Sequence, residues 1–217
     1  MIVTVFGDLH GNIVALEKLF QIEQTNTDLF VSHGDIVNYG PWSNECVSFL
    51  SNIPNIQLLQ GNHEKYFIEG SYPGENPVAR SFFDFCFPRF SEESLKQISA
   101  YDEMAYIDGF TIRHTIYERY IFKDTNITDI TLDGNYVIGH SHQQYIIHKN
   151  RFKLCNTGSL GQNRSLLNQS NYLKIDTESG KVQLKSFLHD IDKVINEMKA
   201  QSYPEICINY YLGKNRK

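Results

Sequence analysis

Residues that can bind a metal ion follow several short apolar runs in this sequence, each time directly after a glycine. The run Ile2–Phe6 leads into Gly7-Asp8-Leu9-His10, and the arrangement recurs as Gly34-Asp35, Gly61-Asn62 and Gly139-His140. Side chains alternate along an extended chain, so Asp8 and His10 would project to one side of it. Two such groups directed the same way indicate a metal site, although alone they would equally fit a helix N-cap and a surface histidine.

The candidate metal ligands are carboxylates, imidazoles and one amide: Asp8, His10, Asp35, Asn62, His63, His114, His140 and His142. Asp35 follows Asp8 by 27 residues, and Asn62 follows Asp35 by the same interval. That interval is about one strand–helix unit, so the three side chains are expected at the ends of neighbouring parallel strands. The mixture of nitrogen and oxygen ligands suits Mn, Fe, Zn or Ni. The number of ligands is too large for one catalytic metal and suits two metals that lie ~3.5–4 Å apart and share one carboxylate.

In this order the motifs resemble those of the calcineurin-like metallophosphoesterase superfamily. That superfamily carries GDxH, GDxxxxG, GNH followed by an acid, a lone histidine, and GHxH. The corresponding residues here are Gly7–His10, Gly34–Gly40, Gly61–Glu64, His114 and Gly139–His142. The resemblance covers nearly the whole chain. It implies one domain over residues 1–217, with an α/β fold of four layers (αββα) in which two mixed β-sheets pack as a sandwich flanked by helices.

The resemblance also implies a ligand set and a reaction. One divalent transition metal would be held by Asp8, His10, Asp35 and His142, and the other by Asp35, Asn62, His114 and His140, with Asp35 bridging them. The reaction would be hydrolysis of a phosphomonoester or phosphodiester, with a metal-bridging hydroxide as the nucleophile and His63 as the general acid. The family usually has glycine after the lone histidine, whereas Thr115 follows His114 here.

The second motif separates this chain from the protein phosphatases, which carry GDxVDRG. Asn38 stands where those enzymes have the aspartate that pairs with the GNH histidine, and Tyr39 stands where they have a phosphate-binding arginine. His63 therefore lacks a carboxylate partner, and the chain looks more like the small bacterial phosphoesterases and phosphodiesterases of the superfamily. Asn38, Tyr39 and Arg164 are candidate substrate-binding residues, with Arg113 as another possible cation.

Two other functions stay open from the sequence. One is a non-catalytic, protein-binding scaffold on the same fold, against which the filled ligand positions argue. The other is a dinucleoside polyphosphate hydrolase, suggested by Gly61–Glu64 and Gly40-Pro41. Hydrolysis assays combined with metal analysis would separate an enzyme from a scaffold.

The spacing of apolar residues predicts the elements that position these motifs. Strands are predicted at Ile2–Phe6, Asp28–Ser32 and Ile56–Leu59, with helices at Asn12–Gln24 and Trp42–Asn52 between them. This alternation indicates parallel strands with right-handed crossovers. The aromatic-rich segment at about 65–103 is predicted to be helical in pieces and to form a rim that selects the substrate. The second half is predicted to contain mostly antiparallel or mixed strands, then a helix at about 190–201 and a loose basic tail.

Composition sets limits on the function. The 217 residues are 41% hydrophobic and 21% charged, with a net charge of -5, so a folded core is expected and a basic face for nucleic acid is not indicated. No apolar run approaches the ~18–20 residues of a membrane span, and no secretory signal is visible. The four cysteines lie far apart and are interpreted as reduced thiols of a cytoplasmic protein. The expected partner is a small phosphorylated substrate.

Overall fold

The computed structural model describes residues 1–217 and contains ten strands and seven α-helices. The strands are β1 (Ile2–Phe6), β2 (Leu29–Ser32), β3 (Ile56–Leu58), β4 (Met104–Ile107), β5 (Phe110–Arg113), β6 (Asn135–Ile138), β7 (Gln144–Lys149), β8 (Phe152–Thr157), β9 (Gln169–Asp176) and β10 (Lys181–Leu188). The helices are α1 (Ile13–Glu23), α2 (Ser43–Ser51), α3 (Asn62–Glu69), α4 (Pro77–Cys86), α5 (Glu92–Ser99), α6 (Ile191–Ala200) and α7 (Glu205–Leu212).

The strands form two mixed sheets of five strands each. The first sheet has the order β10-β9-β1-β2-β3, with β1, β2 and β3 parallel and β9 antiparallel to β1. The second has the order β4-β5-β6-β8-β7, with β5, β6 and β8 parallel. Each sheet therefore has a parallel centre whose strands end at one edge, and the predicted ligands follow the ends of these strands.

Alternation of side chains along the strands gives each sheet an apolar face that packs against the other. Val5 on β1 and Leu173 on β9 share one buried cluster with Ile112 on β5 and Val137 on β6. The opposite face of the first sheet packs against the helices, in a larger cluster that includes Phe30. The two sheets and their helices therefore form the expected α/β sandwich, which confirms the fold class predicted from the sequence; the one difference from the αββα arrangement lies in the layer outside the second sheet.

The outer face of the second sheet is covered by an irregular segment rather than by a helix. Residues 114–134, between β5 and β6, contribute Ile116, Ile121 and Ile130 to a separate small core with Tyr145 and Leu154 of the sheet. The Tyr145 hydroxyl donates to the Ile121 carbonyl at 2.7 Å and ties the segment down. This segment is named the 114–134 loop below, and it forms one wall of the candidate site.

Local signals explain where several helices begin. The backbone N–H of Ala15 donates to the Asn12 side chain at 3.0 Å, which caps α1, and Ser91 caps α5 in the same way. Helix α7 was not predicted. The C-terminal residues are also held more firmly than expected, because Asn168 exchanges hydrogen bonds with Lys217.

The four cysteines, which the sequence analysis interpreted as reduced thiols, are all free and buried. None of the helices is long and apolar enough to cross a membrane.

Candidate metal centre

The ends of five strands meet at one place between the two sheets. Asp8, Asp35 and Asn62 follow β1, β2 and β3 of the first sheet, while His114 and His140 follow β5 and β6 of the second. Backbone hydrogen bonds join the loops, since His10 N donates to Asp35 O at 2.9 Å. The structure therefore brings together all seven predicted metal ligands, which lie far apart in the sequence.

One group of ligand atoms comes from the first and last motifs. His10 Nε2 lies 3.2 Å from His142 Nε2, and His142 Nε2 lies 3.4 Å from Asp8 Oδ1. His10 Nε2 is 3.9 Å from Asp35 Oδ2. Four side chains thus direct nitrogen and oxygen lone pairs into one small volume.

A second group shares Asp35 with the first. His114 Nε2 lies 3.3 Å from Asp35 Oδ2, 3.0 Å from Asn62 Oδ1 and 3.1 Å from His140 Nδ1. The two groups have the memberships that the family resemblance implied, and the same Asp35 oxygen lies at the boundary between them. A third set of converging atoms, from His10, Asp35 and His63, lies across that boundary.

These atoms fit metal ions by their chemistry. Asp8 Oδ1 is buried and has no hydrogen-bond partner. Burial lowers the pKa of His140 to about 3 and holds the pKa values of His10 and His142 well below the ordinary value. These imidazoles are therefore neutral, and neutral imidazole is the form that ligates a metal. Burial also lowers the pKa of His114, but the charge of Asp35, its hydrogen bond to His114 and the charges of Asp8 and Glu64 together outweigh this and raise the pKa to about 9.

Hydrogen bonds orient two of the imidazoles. His142 donates from Nδ1 to the Gln162 carbonyl at 2.6 Å, which leaves Nε2 free to face Asp8. His10 Nδ1 makes a longer contact of 3.4 Å with the Val37 carbonyl and likewise presents Nε2 to the centre. The ring orientation is therefore set before any ion binds.

The backbone at the centre is strained. Five of the seven predicted ligands have positive φ angles: Asp8 (47°), His10 (50°), Asp35 (54°), His140 (66°) and His142 (58°). Residues with a Cβ rarely adopt this left-handed conformation, which costs of order ~1 kcal/mol or more at each position. Sharp turns of this kind direct the ligands inward from the strand ends.

Two glycines allow the close approach of these loops. A Cβ at Gly61 would lie 2.2 Å from Asp35 Oδ1, and a Cβ at Gly139 would lie 2.6 Å from Asp8 Oδ2. Gly139 also faces the ring of His33, whose Nε2 is 2.7 Å from Thr157 Oγ1. Glycine before the ligand is therefore a steric requirement at both positions.

Glu64 is the acid that follows GNH in the third motif, and the sequence analysis assigned it no role. It is fully buried, and its carboxylate accepts four backbone N–H bonds: from Asp35 (2.7 Å), Ile36 (2.7 Å), Val37 (3.2 Å) and Gly61 (2.7 Å). Because all four partners are donors, an ionised carboxylate fits this position best. Glu64 thereby fastens the loop of Asp35 to the loop of Asn62.

His63 lies beside the two groups and contacts both of the predicted substrate residues of the second motif. Asn38 Nδ2 is 3.0 Å from His63 Nδ1, and the Tyr39 ring meets the His63 ring edge to face at 5.3 Å. Asn38 is fully buried and is not among the residues that line the cavity, and its side chain reaches His63. Tyr39 does line the cavity. Substrate binding by Asn38 stays a prediction.

A cavity of about 470 Å³ opens above the centre, a volume typical of a small-molecule site. Its floor includes ligands of both groups, and Tyr39, Arg113 and Arg164 lie on its walls. Burial lowers the pKa of His142, and the nearby positive charge of Arg164 lowers it further. Arg164 thus lines the same cavity as ligands of both groups and adds positive charge to it.

The chain belongs to the calcineurin-like phosphoesterase family, whose sequence profile matches residues 1–196. That family consists of phosphoesterases, and the converging histidine and aspartate side chains are consistent with its use of divalent metals. The comparison supports a phosphoester hydrolase with a metal site.

Individual relatives extend this comparison. The chain is 23% identical to a metallophosphoesterase from Sphaerobacter thermophilus, whose crystal structure matches with a TM-score of 0.79 over 98% of each chain. It is 22% identical to an uncharacterized protein of Methanocaldococcus jannaschii, with 94% of each chain covered. The catalytic subunit of serine/threonine-protein phosphatase 6 from Drosophila melanogaster is 36% identical over 97 residues, which are 41% of this chain and 28% of that protein. The match to the crystal structure from Sphaerobacter thermophilus shows that this chain and that protein share a fold.

Proposed function

We propose that the protein hydrolyses a phosphate ester, a monoester or a diester, at a centre of two divalent transition metals. Ions of this kind neutralise the charge of the phosphoryl group and activate water as the nucleophile. The observation that carries the proposal is the convergence of two sets of buried lone pairs on Asp35 Oδ2, with His10 Nε2 at 3.9 Å and His114 Nε2 at 3.3 Å.

The proposed ligands divide between the two ions as their positions suggest. Asp8, His10 and His142 would hold one ion, His114, His140 and Asn62 would hold the other, and Asp35 would serve both. Asn62 contributes an uncharged oxygen, which keeps the site less anionic and favours the approach of a phosphate. Manganese, iron, zinc and nickel all suit this mixture of imidazole and oxygen ligands.

His63 is the proposed proton donor to the leaving group. It lines the cavity floor beside Asp35 and is not needed to complete either set of ligands. The proton donor would be the imidazolium form of His63, which becomes neutral imidazole when its Nε2 proton passes to the departing oxygen. The Asn38 amide lies 3.0 Å from His63 Nδ1, and its buried oxygen has no other partner, so this oxygen would accept the Nδ1–H bond of the imidazolium. Asn38 would therefore act as a positioning residue that keeps Nε2 directed at the leaving group.

Arg164 is the proposed binding partner of the phosphoryl oxygens. Its positive charge lowers the pKa values of His10, His63 and His142, after the larger effect of burial, so it lies within electrostatic range of the whole centre. A guanidinium can donate two parallel hydrogen bonds to a phosphate, a geometry that Tyr39 in the second motif does not provide.

A pair of variants tests these assignments. Asp35→Asn removes the shared carboxylate, so we expect loss of bound metal and near-complete loss of activity on p-nitrophenyl phosphate and its bis ester. His63→Ala should slow turnover while the metal content, measured by elemental analysis, stays near that of the wild type. If His63→Ala emptied the site, or if Asp35→Asn retained full activity, the assigned roles would be wrong.

A further inference from the structure

Four tyrosine side chains contribute to the cavity wall. Tyr39, Tyr66, Tyr72 and Tyr120 all line the cavity. Tyr66 lies on α3 and Tyr72 lies shortly after this helix, whereas Tyr120 belongs to the 114–134 loop on the second sheet. Aromatic walls therefore approach the centre from both halves of the sandwich.

Two of these rings flank His63, the proposed proton donor. The Tyr39 ring lies 5.3 Å from the His63 ring at an interplanar angle of 72°, and the Tyr66 ring lies 5.6 Å away at 77°. Tyr66 in turn meets Tyr72 edge to face at 5.4 Å. A leaving group that takes a proton from His63 has to lie against this row of aromatic rings.

Tyr120 provides the opposite wall. Its ring stacks on His140 with a centroid distance of 4.0 Å, and the Arg164 guanidinium lies 5.3 Å from the ring centroid. The side chain is nevertheless 49% exposed, so part of it faces the cavity. Tyr72 and Tyr120 line the same cavity, one from the segment after α3 and the other from the 114–134 loop.

We propose that the leaving group of the substrate carries a planar ring, which binds between the Tyr66–Tyr72 wall and Tyr120 while Arg164 holds the phosphoryl group. This inference rests on the proposed function, since it takes His63 as the proton donor that locates the leaving group. A nucleoside and a simple aryl alcohol share the chemistry required.

The physical reason is that tyrosine faces and edges bind another π system better than they bind an alkyl chain. Base–aromatic stacking contributes ~1–3 kcal/mol per base, which corresponds to roughly a five- to 150-fold gain in affinity. A glycerol or serine leaving group would leave most of this aromatic surface uncovered. The cavity of about 470 Å³ also leaves room for more than the phosphoryl group.

The test compares ligands that differ only in the ring. The 5′-methylene phosphonates of adenosine and of methyl riboside, in which a P–CH2 bond replaces the P–O bond to the sugar and cannot be hydrolysed, present the same phosphonate and sugar, and calorimetry on the full chain loaded with Mn²⁺ measures their affinities. Phenylphosphonate and methylphosphonate form a second pair that separates a simple aryl group from a base. We expect at least a fivefold preference for the ring-bearing member of one pair.

Variants assign the preference to the proposed walls. Tyr72→Leu and Tyr120→Leu should each bring the ratio of the affinities for the two members of a pair close to one. Tyr72→Phe, which keeps the ring, should retain the ratio of the wild type. Tyr106→Leu is the matched control, because Tyr106 lies on edge strand β4, is 76% exposed and does not line the cavity.

Equal affinities within both pairs would overturn the inference, and so would a preference that persists in Tyr72→Leu and Tyr120→Leu. Because binding is measured without turnover, these outcomes differ from a failure of the proposed function, which would appear as absent hydrolysis of every phosphoester supplied with metal.

Discussion

Glu64→Gln is the change that tests most directly how the centre is held together. The side chain of Glu64 sits in the first turn of α3 and accepts hydrogen bonds from four backbone N–H groups, two at each oxygen. Glutamine has nearly the same shape, but one of its oxygens is replaced by an amino group. Whichever way the amide is placed, two backbone donors then face another donor.

The expected cost follows from this count. A buried polar group left without a partner costs ~1–3 kcal/mol, so two of them cost about 2–6 kcal/mol. The two bonds that remain also lose their charge-assisted character, which adds to the loss. Domains of this size are stable by ~5–15 kcal/mol, so the substitution removes a substantial share of the free energy of unfolding. Because the freed donors belong to the loops of Asp35 and Asn62, we expect metal affinity to fall by roughly 10–100-fold as well.

Urea unfolding and elemental analysis measure both effects. Glu69→Gln is the matched control, because Glu69 ends the same helix, is exposed, and is expected to change stability by no more than ~0.5 kcal/mol. A Glu64→Gln protein that unfolds within about 1 kcal/mol of the wild type, and that retains its metal, would refute the role assigned to this carboxylate.

Three further predictions concern substrate, protons and metal. Arg164→Met should raise KM for phosphoesters by about tenfold or more through the loss of a charge-assisted hydrogen bond; steady-state kinetics measure this, and a change confined to kcat would contradict it. Burial lowers the pKa of His189 from 6.5 to about 4, so the unfolded chain binds the extra proton between these values and stability falls as the pH drops below 6.5. Urea unfolding should therefore show that the free energy of unfolding falls by ~2 kcal/mol by about pH 5 in the wild type and not in His189→Gln. An equal dependence of this free energy on pH in the two proteins would contradict the prediction. Removal of metal by a chelator should lower the melting temperature, and Mn²⁺ should restore it, because ions bound only by the native state stabilise it by ~2.7 kcal/mol at a hundred times Kd; identical melting curves before and after verified chelation would exclude ions at this centre.

The regular elements were largely predictable because their apolar residues are strongly periodic. Strand β1 was predicted at its observed bounds, and α1 and α2 differ from prediction by one residue at each end. Helix α7 was missed because six of its eight residues are apolar or aromatic, so no polar face marks the helical period. Strand β9, predicted from its apolar residues at Tyr172–Asp176, begins at Gln169 because the polar residues before Tyr172 also pair with β10.

The candidate site could be predicted where it depends on the type of side chain, and it could not be predicted where it depends on backbone hydrogen bonds. Asp8 and His142 could be grouped from motifs alone, since carboxylates and imidazoles are distinctive ligands. The partners of Glu64 are backbone N–H groups, which every residue except proline possesses, so no pattern of letters indicates them. Tyr120 was equally hidden, because it lies in an irregular loop whose path depends on the small core beneath it.

The left-handed backbone at Asp8, His10, Asp35, His140 and His142 sets a limit on how this centre can be redesigned. Glycine would relax each of these turns, but it would remove a ligand at the same time and would add freedom to the unfolded chain. The strain therefore cannot be relieved by glycine without emptying the position of its side chain.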